Sequence, residues 1–484
     1  MSPHNKPLLL HIIPQNPLKN KVFYDTIIII YIYGKHVEKR IIMGNKIIVA
    51  GGGHGGIAAA MLLAKRGYDV TVYEKNPKNK MGYDWTDIFE KKGWLSVGIP
   101  LPDKSKYNLK QDMTFYGPAM KTALTQHTEE NKKEIQMERR DIYAHLIEHA
   151  EKAGVKFQYE ENIIRPIFFG NRVVGIKTDK GEYLADLVID ACGLNSPIRK
   201  MMPPSTGIQN NPIEYEQFYI YRAFLNKACE VEEHDKFKVI LLPNNELGIS
   251  WIATEEEHTD VLIGRFRPFD REYAMKQIEM LRKGNPSIGT EIIRGDSFAN
   301  IPVRQPLGIL VADGYAAIGD SAFMTVPVIG SGIANSLKAA RILANAISND
   351  CTGSFSAETL WTYQRNFYKE IGASLAPLAC VKLLLTRLQG PELDYIFANG
   401  ILNAEDMTID ADSTSLGAML GGMSIEDIKI KLKGLVNNKV ILNKVIKMGL
   451  QLGRATAVTA AMPTTYNKKA VLNWVENYNA CFKH

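Results

Sequence analysis

Gly51, Gly53 and Gly56 stand in the spacing G-x-G-x-x-G, and Glu74 follows 18 residues after the last of them. Glycines so placed permit a tight turn, let a pyrophosphate approach the backbone, and let a helix sit close to a strand. A carboxylate at Glu74 can accept hydrogen bonds from both hydroxyls of a ribose, and its charge disfavours a 2′-phosphate. The elements such a site needs surround these residues. Ile47-Ile48-Val49-Ala50 is a short apolar run suited to a strand buried on both faces. Ile57 to Arg66 has helix-forming composition, with Ala58, Met61, Leu62 and Ala64 on the packing side, and Gly67 fits its C-cap. Asp69 to Tyr73 reads as a second strand ending at Glu74. The unpaired N–H groups and partial positive charge at the helix start would face the phosphates. Strand, glycines, helix, strand and acid occur in order, which reads as a dinucleotide site; the bland alternative is a glycine-rich turn that binds nothing.

Two later segments add to this. Residues 186–199 read DLVIDACGLNSPIR: a strand, a small-residue turn, and Asn195-Ser196 as a helix start. In residues 313–343, Tyr315 to Ile318 suits a short strand ending at Gly319-Asp320. Pro327 and Gly330-Ser331-Gly332 then lead into a helix with Ala334, Leu337, Ala340 and Leu343 as its apolar face. Together the three segments resemble the FAD-binding signatures of the flavoprotein superfamily that includes p-hydroxybenzoate hydroxylase and geranylgeranyl reductase. The match is closest to the geranylgeranyl reductase branch through Ile301-Pro302-Val303, Pro306-Leu307, Ala312-Asp313-Gly314 and the run through Ala334-Asn335, and it covers about residues 44–350. The resemblance implies that Asp320 bonds the ribityl chain of FAD, and that the helix beginning near Gly330 aims at the flavin pyrimidine ring. It also implies that Arg139, in MERRDI, lies at a helix start near the cofactor, with Arg140 as the fallback register. The expected cofactor-binding set is therefore Gly51, Gly53, His54, Gly56, Glu74, Lys75, Arg139, Gly319, Asp320, Gly330, Gly332 and Ile333. Within it, His54 has two readings: a contact to a phosphate or the flavin edge, or a tolerated loop residue. For Asp320 the bland reading is a surface turn.

By the same resemblance the fold is α/β with mixed α+β character: a Rossmann-like FAD-binding domain built from separated segments, an antiparallel β-sheet substrate domain and a helical C-terminal region. Phe218 to Leu225, Val239 to Leu242, Leu247 to Ala253 and Val261 to Phe266 suit strands of that sheet. Gly248-Ile249-Ser250-Trp251-Ile252 resembles the branch's substrate motif at Trp251 alone, so Trp251 is either a substrate wall or a core residue. Where relatives carry a Cys-Gly pair after the ribose-binding acid, this chain has MGYDWTD over 81–87, which puts any mechanism needing a cysteine there in doubt. Gly82, Asp84, Trp85 and Asp87 are candidates for the flavin face or active-site wall, against the reading of a plain polar loop. Asp84, Trp85 and Trp251 are the candidate catalytic residues. His145-Leu146-Ile147-Glu148-His149 fits H-x-x-E-H, but its helix is the one that follows Arg139 in the flavoprotein frame, so an exposed polar face is expected and no metal.

The implied activity is hydride transfer from reduced flavin to a carbon–carbon double bond of an apolar substrate, of the polyprenyl lipid kind. NAD(P)H binding transiently, or a ferredoxin-like protein, would supply the electrons. A flavin monooxygenase and a flavin-binding protein without turnover are the alternatives.

Length and composition bound these readings. A chain of 484 residues, 45% hydrophobic and 23% charged, is a multi-domain globular protein and neither disordered nor collagen-like. Boundaries are expected at 43–200 with 300–352 for the FAD-binding domain, 201–299 for the substrate domain and 353–484 for the helical region. Residues 1–42 are expected to be an unstructured extension or a mis-assigned start, with Met43 the natural one; a signal peptide is disfavoured because Asp25 cuts the apolar run short. Five widely spaced cysteines without a C-x-x-C pair favour a reducing compartment, hence the cytoplasm. Net charge is +6, yet residues 428–475 hold nine basic side chains and no acid, leaving −3 for the rest. The chain is thus not read as a nucleic-acid binder. That segment is either a helical cap with a solvated lysine face or a peripheral contact with the inner face of a membrane. Ser354 to Leu388 reads as helices broken at Pro377, and Leu435 to Leu452 as one basic, apolar stretch.

Overall fold

A computed structural model describes residues 28–33, 36–41, 46–209, 214–407 and 424–483. The chain divides into two compact units after Gly44. In the first, Ile28–Tyr33 and His36–Ile41 pair as an antiparallel hairpin, in a segment expected to have no regular structure.

The second unit is built on a six-stranded sheet in the order Lys156–Gln158, Asp69–Tyr73, Lys46–Ala50, Leu187–Asp190, Tyr315–Ala317, Val311–Ala312. The first five strands are parallel and the sixth is antiparallel. Ile47 to Ala50 are buried on both faces, which is why this strand reads as an unbroken apolar run. Helix His54–Ala64 crosses from Lys46–Ala50 to Asp69–Tyr73, while Leu187–Asp190 lies on the other side of Lys46–Ala50. That divergence opens a crevice at the carboxyl ends of the strands, the usual ligand position in such sheets. Arg139–Lys152 and Ile333–Ser348 pack beside His54–Ala64.

A seven-stranded sheet follows the order Ile288–Pro302, Gln217–Lys227, His258–Arg265, Gly248–Thr254, Phe237–Leu241, Thr114–Tyr116, Ala123–Thr125. Its last two strands come from within the range expected for the FAD-binding domain. Alternation along the strands sorts residues to two faces. Tyr221, Ala223, Leu225, Val261 and Ile263 form a core under helix Arg271–Arg282. Phe218, Ile220, Phe224 and Leu262 face the other way, and Trp85 packs among them.

Beyond residue 353 the described chain is helical: Ala357–Phe367, Ala373–Leu385, Gly390–Ala398, Ile425–Val436, Lys439–Ala460 and Lys468–Ala480. Pro377 does not break its helix as expected; it lies inside Ala373–Leu385. The irregularity sits one turn upstream, where Tyr368–Gly372 is a π-helical stretch. Proline lacks the N–H that would bond four residues back and clashes with that carbonyl, and a wide turn just before it absorbs the misfit. The stretch Leu435 to Leu452 is likewise divided between two helices, because Asn438 caps the second by accepting from the Ile441 N–H.

Candidate functional site

Strand Lys46–Ala50 ends at Gly51, whose φ of +91° is the left-handed region where a side chain is strained. A Cβ there would lie 2.6 Å from the Ala191 carbonyl oxygen, and one on Gly56 would lie 2.6 Å from the Ala191 Cβ. Both glycines therefore let the turn and the helix press against Leu187–Asp190 and the loop after it. Helix His54–Ala64 starts behind Gly53 with no side-chain cap and no acid in its first turn. Ile333–Ser348 starts behind Gly332 in the same bare manner. The two starts are neighbours: a Cβ on Gly55 would lie 3.0 Å from the Ser336 carbonyl oxygen. Two positive helix ends thus converge on one crevice.

Glu74 is buried where Asp69–Tyr73 ends. Its Oε2 accepts from the Gly52 N–H at 2.8 Å, and its Oε1 accepts from the Asn76 N–H at 2.9 Å and the Asn76 Nδ2 at 2.8 Å. These bonds tie the carboxylate to the glycine turn and occupy both lone pairs of Oε1, while Oε2 keeps one for a further donor. Lys75 beside it is exposed.

His54 stacks on Tyr143 with ring centroids 4.4 Å apart, and its shielded Nε2 has no hydrogen-bond partner. Burial, reinforced by Arg139 and opposed by Asp87, holds its pKa at about 3, so the ring is neutral. Arg139 sits at the start of Arg139–Lys152 and donates to Asp87 through two bonds of 2.6 Å. Burial disfavours both charges, yet each outweighs that cost for the other: the Asp87 carboxyl is held below its usual range and the guanidinium pKa rises. Tyr83 and Trp85 lie 5.1 Å and 5.9 Å from the guanidinium. Arg140 points outward.

Asp320 occupies the short helical turn Gly319–Ala322 after strand Tyr315–Ala317. It is recessed, and burial pushes its pKa up to about 6 against the pull of Arg139 and Arg199. Nothing among the described residues forms a hydrogen bond or ion pair with its side chain. Gly330, at φ +71°, allows Ile301 to approach: a Cβ there would lie 2.6 Å from the Ile301 Cδ1.

Of the proposed wall residues, Trp85 is buried and donates from Nε1 to Ser297 Oγ at 2.8 Å. Trp251 donates from Nε1 to Asp260 Oδ2 at 3.2 Å and lies 4.7 Å from the Arg222 guanidinium. Both indole N–H groups are engaged, so these rings present faces and not protons. Asp84 is exposed; its Oδ2 accepts from the Gly295 N–H at 3.3 Å. Gly82 is also exposed on the loop over Arg139, where a Cβ would lie 2.7 Å from the Arg139 Cδ.

Two groups of functional weight escape a linear reading. Buried Arg222 donates to both Asp260 oxygens, at 2.9 and 2.6 Å, and to the Thr86 carbonyl and hydroxyl, each at 2.6 Å. This pair fastens the segment carrying Trp85 to the seven-stranded sheet. Fully buried Asp190 accepts from Ser196 Oγ at 2.5 Å, Tyr315 Oη at 2.9 Å, Ser321 Oγ at 3.0 Å and the Cys192 N–H at 3.1 Å. It thereby holds the turn that carries Asp320. The available signal was an acid closing the otherwise apolar Leu187–Asp190, a position where burial demands several donors. Cys192 donates from Sγ to the Ala50 carbonyl, and burial, reinforced by Asp190, raises its pKa well above normal. The thiol is a packing group. His145 contacts the Pro100 carbonyl and Glu148 pairs with Lys152. Among the described residues no group of three His, Cys, Asp or Glu could hold a metal, and no single helix is long and apolar enough to cross a membrane.

The profile of the NAD(P)-binding Rossmann-like domain family matches residues 49–96. The chain is 24% identical over 376 residues to the digeranylgeranylglycerophospholipid reductase of Sulfolobus acidocaldarius, covering 75% of this chain and 82% of that one. It is 23% identical to the kynurenine 3-monooxygenase of Christiangramia forsetii, covering 59% of this chain and 69% of that one. Among solved structures, a geranylgeranyl bacteriochlorophyll reductase-like protein from Thermoplasma acidophilum superposes with a TM-score of 0.67 at 19% identity, covering 81% of this chain and 98% of that chain. In fold and in sequence the chain is similar to FAD-dependent oxidoreductases, the geranylgeranyl reductases among them.

Proposed function

We propose that the crevice holds FAD and that the enzyme reduces a carbon–carbon double bond of an apolar, polyprenyl-type substrate. The observation that carries this reading is the meeting of two bare helix starts with the unpartnered, buried His54 Nε2 and with the recessed Asp320 carboxyl, which lies 3.5 Å from where a Cβ on Gly332 would stand. Buried polar groups normally have partners, so a vacant histidine nitrogen beside two uncapped helix starts fits a polar ligand. Gly51, Gly53 and Gly56 admit the pyrophosphate to the backbone, and Glu74 accepts from the adenosine ribose. Asp320 accepts from a ribityl hydroxyl, with Gly319 shaping its turn. Gly330, Gly332 and Ile333 bring the positive end of a helix toward the flavin ring, while the Asp87–Arg139 pair and His54 flank the crevice. Bound and reduced, FAD would supply a hydride to one carbon of the double bond, and a proton from solvent would complete the other.

The substrate lodges against Phe218, Ile220, Leu262 and Ile301, with Trp85 and Trp251 as walls. Likeness to a reductase named for a polyprenyl phospholipid supports this assignment. NAD(P)H or a ferredoxin-like protein supplies electrons, and residues 428–475 are where such an enzyme would meet a membrane. Likeness to kynurenine 3-monooxygenase supports a second reading, oxygen-dependent hydroxylation.

Purified protein reduced anaerobically and mixed with unsaturated polyprenyl acceptors decides between them. Reoxidation of the flavin with saturation of the acceptor supports the reductase. Donor oxidation that consumes oxygen and hydroxylates an aromatic compound replaces it with the monooxygenase, and colourless protein that takes up no FAD removes both.

A further inference from the structure

Lys439–Ala460 packs on Ala373–Leu385, and its buried side carries Ile441, Ala455 and Thr459. At 100° per residue, Lys439, Asn443, Ile446, Leu450 and Ala457 lie on the opposite side. An ordinary surface helix keeps that side polar. Here Leu450 is 72% exposed and Ile446 50%. The preceding helix continues the pattern, with Val436 63% exposed, Leu432 55% and Ile428 42%, spaced four residues apart. Single exposed apolar residues need no explanation, but repeated ones at four-residue spacing on two consecutive helices point to a contact surface.

Charge selects the occupant. Lys431 is tied to Asp406, and Lys444 to Glu392. Lys433, Lys439, Lys447, Arg454, Lys468 and Lys469 are exposed and have no ion-pair partner among the described residues. No acid lies between Asp427 and Glu476 to neutralise them. Exposed branched and leucine side chains flanked by free cations match the boundary of an anionic lipid leaflet, where apolar groups enter the acyl region and lysines meet phosphates.

We infer that the outer face of Ile425–Val436 and Lys439–Ala460 docks on the surface of an anionic membrane. The docking rests on the apolar-substrate reading above, because it places the enzyme on the phase that holds such a substrate. The bound helices lie along the leaflet and do not span it.

The test uses the full chain loaded with FAD, co-sedimented with vesicles of phosphatidylcholine alone or mixed with phosphatidylglycerol. The protein is expected to bind the mixed vesicles and not the neutral ones. The double variant I446D/L450D and the double variant K439E/K447E should each weaken binding by about tenfold or more. Flavin content and dithionite reduction should stay unchanged in both, which shows that the variants fold. Failure to bind the mixed vesicles, or equal binding to neutral ones, overturns the inference. Binding that K439E/K447E abolishes and I446D/L450D leaves intact also overturns it, because the apolar face would then have no part in the contact. Vesicle binding without turnover of any polyprenyl acceptor would instead sink the functional reading and leave the docking surface standing.

Discussion

Ser424, Asn438 and Asn467 each turn a side-chain oxygen onto the N–H three residues ahead, closing the starts of Ile425–Val436, Lys439–Ala460 and Lys468–Ala480. The helices His54–Ala64 and Ile333–Ser348 start behind Gly53 and Gly332 and have no such cap. Every helix leaves four backbone N–H groups without an internal partner. Each C-terminal helix engages one of these from its own sequence, through the cap residue. The two glycine-led starts keep N–H groups and positive charge for something that arrives from outside. The difference separates helices that build the scaffold from helices that build the crevice.

This contrast can be broken most severely at Gly51. A Gly51→Ala side chain is strained at φ +91° and would press on the Ala191 carbonyl. Strain alone costs about 1–3 kcal/mol; chemical denaturation should show that loss or more, and the purified protein should lack flavin. A yellow, fully stable variant would show that the turn is not under steric demand. Next in size, Asp320→Ala removes an acceptor worth about 1–3 kcal/mol toward a ligand hydroxyl. Titration with FAD should show about tenfold or greater weakening, and an unchanged dissociation constant would remove Asp320 from the site.

The scaffold side is tested by Asn438→Ala. Loss of that cap should cost about 1 kcal/mol in thermal or denaturant unfolding, with flavin content untouched. Loss of flavin there would erase the distinction between the two classes of helix start. The crevice side also carries a pH dependence. Asp320 has a folded pKa of about 6, raised by burial from 3.8. The stability it contributes is present below 3.8 and is lost as pH rises through 6. Flavin-free Asp320→Asn protein should therefore melt above wild type at neutral pH, with the gap closing as pH falls below 4. A gap independent of pH would mean that the carboxyl is not buried in its charged form.

Several elements were legible from local pattern. Asp69–Tyr73 has the expected bounds, His54–Ala64 begins a few residues before its expected start, and the four anticipated strands of the large sheet are present within a few residues. The pairing of Thr114–Tyr116 with Phe237–Leu241 was not legible, because it joins segments more than a hundred residues apart and short strands carry little periodicity. Asp87 was among the candidates, but its bidentate bond to Arg139 depends on where two separate elements meet. Asp190 and the Arg222–Asp260 pair were not singled out, since a buried charge looks like a surface one until its donors are brought together.

Glycine spacing, the acid at the end of Asp69–Tyr73 and the acid-free lysine segment are facts of the chain written in order. Backbone conformation and net charge are local, and they can be read without folding. Whether a cation finds a carboxylate, whether a histidine nitrogen finds any partner, and whether a helix turns leucine inward or outward depend on distant segments. Burial is a property of neighbours. The bare crevice and the exposed apolar face at Ile446 and Leu450 therefore became visible once the chain had closed on itself.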